Sequence, residues 1–140
     1  MIVMKIKLTQ DELGALHADF IGGMNSVSQN NESNNYIEVT PDGFKVNVDD
    51  GEILEISYAT TLNEGDAETD NVGYTMMSYN ADRETWSIEV DPIVLARRGV
   101  WYLSLRVATY LEGKRVGSSK SVENLEFTVN ADIYNSNGEY

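Results

Sequence analysis

The sequence predicts an all-β protein of seven or eight short strands, arranged as antiparallel sheets in a sandwich or a barrel. The first observation is the alternation of apolar and polar residues, which is clearest at Trp101, Leu103, Leu105 and Val107. A period of two places these side chains on one face of a strand, and such a face needs a second layer to cover it. The second observation is that clusters of Gly, Asn and Asp separate the alternating runs, as is typical of such folds.

Length and composition favour one domain without covalent cross-links. A chain of 140 residues buries roughly two thirds of the surface that its unfolded form exposes, which is enough for a stable core. The chain has no cysteine, so disulfides and thiolate metal sites are excluded. We assign residues 1–130 to a single domain and residues 131–140 to a polar tail.

The first third of the chain predicts a strand, a short helix and a loop. Residues 2–8 alternate and predict a strand. Thr9 and Glu12 match the capping box that begins many helices, and apolar residues follow at helical spacing, so a short helix is expected near residues 10–21. Residues 24–35 are rich in Asn and Ser, and they predict a mobile loop.

The remaining elements are predicted to be strands with turns between them. Asp50 and Gly51 lie between two alternating runs and predict a hairpin, because Gly supplies the positive φ of the turn. Leu54, Ile56 and Tyr58 are expected to face the core. The predicted strands after residue 35 span residues 36–40, 44–48, 52–59, 72–80, 85–90, 100–111 and 122–129, with a tight corner at residues 91–99.

Charge is abundant and unevenly placed. The net charge of −13 repels a phosphate backbone, so direct nucleic-acid binding is not expected. Residues 38–70 hold ten acids and one base, whereas residues 93–121 hold six bases and one acid. Either these are two solvated surfaces, or the molecule is bipolar and its copies pack head to tail.

The residues that usually perform catalysis or bind transition metals are scarce. His17 is the only histidine, no nucleophile motif such as Gly-x-Ser-x-Gly occurs, and a structural or surface role is expected for His17. Asp66, Glu68 and Asp70 follow the spacing that opens a calcium loop, but Asn71 and Met77 stand where an EF-hand needs Gly and Glu. A weak calcium site and a solvated acidic loop both stay open. We expect no cofactor, and no apolar run approaches the ~20 residues of a membrane span.

Three side chains on one strand form the best candidate for an interaction site. Tyr102, Arg106 and Tyr110 alternate with the predicted core residues, so they share the opposite face. Tyr and Arg are typical anchors of protein interfaces, and aromatic side chains on a sheet also stack on sugar rings. A third reading is that this is the second buried face of a central strand. Arg97 and Arg98, from the basic region, are further interface candidates.

Residues 83–130 carry a family resemblance. A strand is followed by a segment from Asp91 to Gly99, by an aromatic strand that includes Trp101 and Tyr102, and by a closing strand that ends in Phe127-Thr-Val. This order resembles the N-terminal domain of baseplate upper proteins from tailed phages of Gram-positive bacteria. The resemblance implies an immunoglobulin-like sandwich that connects the receptor-binding apparatus to the rest of the baseplate, with no catalytic residue.

The resulting hypothesis is an all-β, immunoglobulin-like antiparallel sandwich that acts as a non-enzymatic assembly module of a phage tail or baseplate. Its expected partners are other virion or tail proteins and further copies of itself, without nucleic acid or membrane. Its expected location is the virion, after synthesis in the host cytoplasm. A carbohydrate-binding module that uses Tyr102, Arg106 and Tyr110 is the first alternative. An acidic mimic of nucleic acid, based on residues 38–70, is the second.

Overall fold

A computed structural model describes residues 2–29, 35–60, 71–121 and 124–130. These residues form a β-sandwich of two sheets with one short α-helix and one turn of 3-10 helix, which confirms the predicted all-β class. The predicted polar tail, residues 131–140, lies outside the described part of the chain. The elements are β1 (Ile2–Gln10), β2 (Leu16–Phe20), β3 (Ser26–Ser28), β4 (Asn35–Asp42), the 3-10 helix (Val48–Asp50), β5 (Glu52–Ala59), β6 (Asn71–Met76), β7 (Ser78–Asn80), β8 (Thr85–Glu89), α1 (Pro92–Leu95), β9 (Gly99–Leu111), β10 (Lys114–Lys120) and β11 (Leu125–Asn130).

The two sheets are mixed rather than purely antiparallel. The first sheet has the order β2-β1-β4-β8-β7, and the second has the order β3-β11-β9-β5-β6. Strand β10 pairs with the C-terminal part of β9, on the edge that β11 uses along its N-terminal part. Strands β1 and β4 are parallel, and so are β3 and β11. Parallel pairs arise because the chain visits the other sheet before it returns, so a hairpin does not connect the paired strands.

The core lies between the two sheets and is lined by the alternating positions that the sequence predicted. Trp101, Leu103 and Leu105 of β9 are almost completely buried, and Leu54, Ile56 and Tyr58 of β5 lie beside them as expected. The first sheet contributes Met4, Ile6, Leu8, Ile37, Val39 and Trp86. Period-two alternation therefore assigned the inward face of the main strands correctly.

The helix expected near residues 10–21 is not present, because this segment forms the β1–β2 hairpin. Asp11 Oδ1 accepts hydrogen bonds from the backbone N–H groups of Leu13 and Ala15, both at 2.9 Å. Gly14 has a φ of 84°, which suits a turn and interrupts a helix. The side chain of Leu13 is 95 % exposed, so its helical spacing with Leu16 reflects a turn residue followed by a core residue.

Two further predictions are corrected where the chain changes sheet. Residues 24–35, expected to be a loop, contain β3 and the first residue of β4, and the buried Val27 anchors β3. Residues 44–48 were expected to be a strand that forms a hairpin with residues 52–59. Instead they cross from β4 in the first sheet to β5 in the second, and Gly51 ends the 3-10 turn at a φ of 83°. Glycine was needed at this position, but for a crossover rather than a hairpin.

The segment predicted as one strand over residues 72–80 is divided between the sheets. Strand β6 belongs to the second sheet and β7 to the first, with the buried Met77 between them. The N–H of Met77 donates to the carbonyl of Leu54 at 2.9 Å, which fixes the crossing point. The predicted corner at residues 91–99 is also a crossing, and there the Asp91 side chain accepts a hydrogen bond from the N–H of Ile93 at the start of α1.

Candidate docking face

The outward face of the second sheet holds the side chains that the sequence singled out. On β9, the residues that alternate with the core are Tyr102, Ser104, Arg106, Ala108 and Tyr110. On β5, Glu55 lies directly opposite Arg106, and cross-strand partners in an antiparallel pair point to the same side. We call this surface of β5, β6, β9 and β10 the outer face. Ala108 is completely buried on it, so long side chains lie over the sheet rather than project from it.

A buried carboxylate organises the outer face. The side chain of Glu55 is only 3 % exposed, and its two oxygens accept separate hydrogen bonds. Arg106 Nε donates to Oε1 at 2.7 Å, and the Tyr110 hydroxyl donates to Oε2 at 2.7 Å. A carboxylate leaves water at a high cost unless it is paired and hydrogen-bonded, and these two donors supply what Glu55 needs.

The guanidinium of Arg106 is held from a second side by an aromatic ring. Its central carbon lies 3.7 Å from the centroid of Tyr74, in cation–π geometry. The Tyr74 hydroxyl and Ser104 Oγ are 3.0 Å apart, which fixes the ring on β6 against β9. Arg106 is therefore a preorganised side chain, with its Nε on Glu55 and its plane on Tyr74.

Glu55 also changes the acidity of Tyr110. The hydrogen bond to the Glu55 carboxylate raises the pKa of Tyr110 above its ordinary value, and partial burial and the negative charge of Glu55 act in the same direction. The positive charges of Arg106 and Arg115 act in the opposite direction and lower the pKa of Tyr110, but they do not cancel the rise. The phenol stays protonated and continues to donate to Glu55 at neutral pH.

Strand β10 adds two cations to the same surface. Lys120 lies opposite Arg106 and Arg115 lies opposite Tyr110 in the β9–β10 register, so both point outward. Both side chains are on exposed residues. The outer face therefore has a buried ionic centre and an exposed cationic margin.

Comparison with known proteins gives a match in structure. No protein-family model and no curated protein matches the sequence. Ten chains of solved structures match the fold. One of them is the N-terminal domain of phage TP901-1 ORF48, with a TM-score of 0.53 and 12 % sequence identity, over 94 % of this chain and 99 % of that chain.

This chain is similar in fold to a phage protein domain. The similarity extends far beyond residues 83–130, where the sequence predicted it, and the predicted resemblance is confirmed for the fold. At 12 % identity the likeness concerns the fold alone.

The other predicted site residues are distributed differently around this phage-like fold. Arg97 and Arg98 precede the first residue of β9, whereas Tyr110 is near its last, so the two groups are at opposite ends of the strand. The carbonyl of Arg97 accepts a hydrogen bond from Trp101 Nε1 at 2.9 Å, which ties the corner to the core. The calcium candidates Asp66, Glu68 and Asp70 lie outside the described residues.

Metal-ligating groups and membrane spans are not found in the described part of the fold. Across residues 2–29, 35–60, 71–121 and 124–130, no three His, Cys, Asp or Glu side chains gather as a metal site would require. Within the same ranges, none of the helices has the length and apolar character needed to cross a membrane.

A shallow groove opens at one end of the sandwich, between the β4–β5 crossover and the β7–β8 hairpin. Phe44, Tyr79 and Trp86 are among its lining residues, and the ring centroids of Tyr79 and Trp86 are 4.8 Å apart. Lys45 and Glu84 approach to 3.5 Å beside it. Both of these charged side chains are mostly exposed, so the groove lacks the buried polar groups that fix a small ligand.

Sequence reasoning found Tyr102, Arg106 and Tyr110 but missed Glu55, Tyr74 and Ser104. Glu55 was visible only as one of ten acids in residues 38–70, and nothing in its neighbours marks it as buried. Its role comes from the register that places it opposite Arg106, which is 51 residues later in the chain. Strand register between distant segments is set by tertiary pairing, so this partner had no local indication.

Proposed function

We propose that this chain is a non-enzymatic assembly module of a phage tail or baseplate, which docks to neighbouring virion subunits. The observation that carries the proposal is the similarity in fold, over 94 % of the chain, to the N-terminal domain of a phage protein. The sequence resemblance of residues 83–130 to baseplate upper proteins supports the same role. The proposed location is the virion.

The proposed mechanism is burial of exposed strand faces against neighbouring subunits, including further copies of the chain. The outer face suits this role because Arg106 and Tyr110 are already fixed by Glu55, so docking orders few side chains. Tyr and Arg are also the residue types that most often anchor interfaces. Arg97 and Arg98, on exposed positions beside α1, extend the proposed contact surface to the other end of β9.

The contacts of the outer face favour assembly over sugar binding. A sugar needs free polar groups beside an aromatic platform, but the Tyr110 hydroxyl and Arg106 Nε are both hydrogen-bonded to Glu55. The Tyr74 ring is likewise covered by Arg106. For the nucleic-acid mimic, the described acids do not form one isolated surface, since Glu38 pairs with Arg83 at 3.4 Å and Glu55 with Arg106.

The proposal is tested on particles of the phage that encodes the chain. Mass spectrometry of density-purified particles is expected to detect the chain in fixed ratio to tail proteins, and gold-labelled antibodies against it are expected to mark the tail tip. Absence from purified particles would contradict the proposed role. An abundant non-structural phage protein serves as the control for carry-over from the lysate.

Light scattering after size exclusion tests self-association separately. A defined oligomer at low salt that dissociates at high salt supports packing through the acidic and basic regions, because exposed charges are screened by salt. A monomer at all concentrations and salt levels removes self-packing from the mechanism and leaves docking to other virion proteins.

A further inference from the structure

The C-terminal half of β9, together with β10, forms a cationic surface on a strongly acidic protein. Arg106, Arg115 and Lys120 are three of only ten positive residues in a chain of net charge −13. The register places Lys120 opposite Arg106 and Arg115 opposite Tyr110, so the three cations share the outer face. We call these three residues the cationic patch.

Among the acids that the structure describes, only Glu55 forms an ion pair with a residue of the patch. Glu55 has one oxygen on Arg106 and the other on Tyr110, so it offsets the charge of Arg106 alone. Within the described residues, neither Arg115 nor Lys120 forms an ion pair. On the same face, Glu126 lies opposite Tyr102, so it is beside the N-terminal half of β9, whereas the patch is beside the C-terminal half. Two exposed cations therefore remain beside a fixed arginine.

The field of the patch selects the chemistry of its partner. A cationic surface attracts carboxylate or phosphate groups, but a net charge of −13 repels a continuous phosphate backbone. A short protein segment with several carboxylates carries fewer negative charges than a long nucleic acid, so it experiences less of that repulsion. Tyr102 and Tyr110 flank the patch on β9 and add aromatic contact area and a rigid frame.

We propose that the cationic patch of Arg106, Arg115 and Lys120 is the contact for an acidic segment of a partner protein, recognised through its carboxylates. The inference rests on the proposed assembly function and names the partner chemistry for its docking face. Lys120 and Arg115 attract the segment, and Arg106, whose Nε is held on Glu55 and whose plane lies on Tyr74, offers its other guanidinium N–H groups from a fixed position.

The test uses a hexaglutamate peptide as the probe and the ¹⁵N-labelled full chain at low salt. Titration is expected to shift the backbone amide resonances of residues 104–110 and 114–120, and 0.3 M salt is expected to suppress these shifts, since exposed charges are screened. Shifts centred on another surface, or no shifts at low salt, would overturn the inference. A single-stranded oligonucleotide of matched net charge is titrated in parallel, and tighter binding of it at the patch would also overturn the inference.

A matched pair of double variants separates the patch from overall charge. Arg115→Ala/Lys120→Ala and Lys5→Ala/Lys7→Ala each remove two exposed positive charges, the second pair from β1 in the other sheet. The first is expected to weaken hexaglutamate binding about fivefold, the sum of two exposed ion pairs. The second is expected to leave affinity within about twofold, because it changes only the distant field. Equal losses in both variants would contradict a local site.

The outcomes also separate this inference from the proposed function. Incorporation of the chain into virions without hexaglutamate binding would reject the acidic partner and leave the assembly role. Hexaglutamate binding at the patch by a chain that is absent from virions would reject the assembly role and keep the carboxylate-binding surface. If the Arg115→Ala/Lys120→Ala chain also fails to enter virions, while Lys5→Ala/Lys7→Ala enters normally, both proposals are supported.

Discussion

Two close side-chain pairs, each containing a carboxylate, occupy opposite environments in this protein. Glu55 and Arg106 are 2.7 Å apart with side chains 3 % and 12 % exposed, whereas Asp11 and His17 are 2.8 Å apart with side chains 37 % and 38 % exposed. The two distances are almost the same, but the exposure of the side chains to solvent differs. The comparison teaches that the surroundings of a pair, rather than its length, determine what happens when one partner is removed.

Each pair has a different structural task. Glu55 and Arg106 connect β5 to β9, two strands that are distant in sequence and central in the second sheet. Asp11 and His17 lie within one hairpin, where Asp11 also accepts two backbone hydrogen bonds of the turn. Removal of one partner of the first pair leaves an unpaired charge in the protein interior. Removal of one partner of the second pair leaves a side chain that water solvates.

The largest effect is expected for Arg106→Met, which removes the charge partner of Glu55 and keeps an apolar side chain of similar length. The buried carboxylate is then uncompensated, and the free energy of unfolding is expected to fall by about 3–5 kcal/mol. Urea unfolding at pH 7 measures this free energy. The control is Lys45→Met, which breaks an exposed pair with Glu84 and is expected to cost less than about 1 kcal/mol.

The double variant Glu55→Met/Arg106→Met distinguishes the cost of an unpaired buried charge from the cost of losing the ion pair itself. With both charges gone, no desolvated charge remains, and most of the stability lost in Arg106→Met is expected to return. Urea unfolding of Glu55→Met, Arg106→Met, the double variant and the original chain completes the cycle. If the double variant is as unstable as Arg106→Met, then packing rather than an unpaired charge explains the loss.

Gly51→Ala tests whether the close approach of the β4–β5 crossover to β9 contributes to stability. Gly51 has a φ of 83°, its carbonyl accepts from the N–H of Tyr110, and an added Cβ would collide with the carbonyl of Tyr110. Gly43 has a φ of 78° with open space around it, so Gly43→Ala supplies the cost of backbone strain alone. Thermal unfolding is expected to show an excess cost of about 1–3 kcal/mol for Gly51→Ala. Equal costs would mean that the close approach to β9 is dispensable.

Tyr110→Phe is expected to have a smaller effect than Arg106→Met, because Glu55 keeps its charged partner and loses one neutral donor. The pKa of Tyr110 is raised in the folded chain, so the phenol stabilises the fold below its unfolded-state pKa. That contribution is lost as pH rises through the folded-state pKa. Urea unfolding between pH 7 and 11 is expected to show a stability difference between the two chains that narrows at high pH. A constant difference would contradict the hydrogen bond to Glu55 as its cause.

The smallest effect is expected for Asp11→Asn, which keeps the Oδ1 acceptor of the turn and removes the charge beside His17. The hydrogen bond with His17, followed by that from the Ala15 N–H, lowers the pKa of Asp11 below its ordinary value. A lowered pKa stabilises the fold above the unfolded-state value, and this stabilisation is lost as pH falls through the folded-state value. Urea unfolding is expected to show a small deficit of the variant at pH 7 that narrows in acid, as pH falls below the ordinary pKa of a carboxyl group. A deficit that persists in acid would point to the turn rather than the charge.

The sequence predicted the face of the candidate site but not its chemistry. Alternation along β9 placed Tyr102, Arg106 and Tyr110 together and opposite Trp101 and Leu103, which the structure confirms. The same alternation gives no register between β9 and β5, so Glu55 could not be recognised as the partner of Arg106. A side chain on a strand is assigned to a face by its own neighbours, but to a partner only by pairing with a distant segment.

The wrong predictions all fall where the chain turns or crosses between sheets. Local propensity around Thr9 and Glu12 favours a helix start, yet Gly14 and the pairing of β2 with β1 produce a hairpin. Likewise, the apolar positions of residues 72–80 change phase between Met76 and Met77, but only the strand pairing shows that the chain changes sheet there. In both cases tertiary pairing overrides a local pattern that is consistent with more than one structure.

The sequence by itself determined the all-β class, the inward face of each long strand and the resemblance to a phage domain. These features depend on alternation, turn residues and residue types, which are local properties of the chain. Only the tertiary structure decided the two mixed sheets, the crossings at Gly51 and Met77, and the burial of Glu55 between Arg106 and Tyr110. The physical reason is that sheet order and register are chosen by the joint burial of segments far apart in sequence, and no single segment encodes that choice.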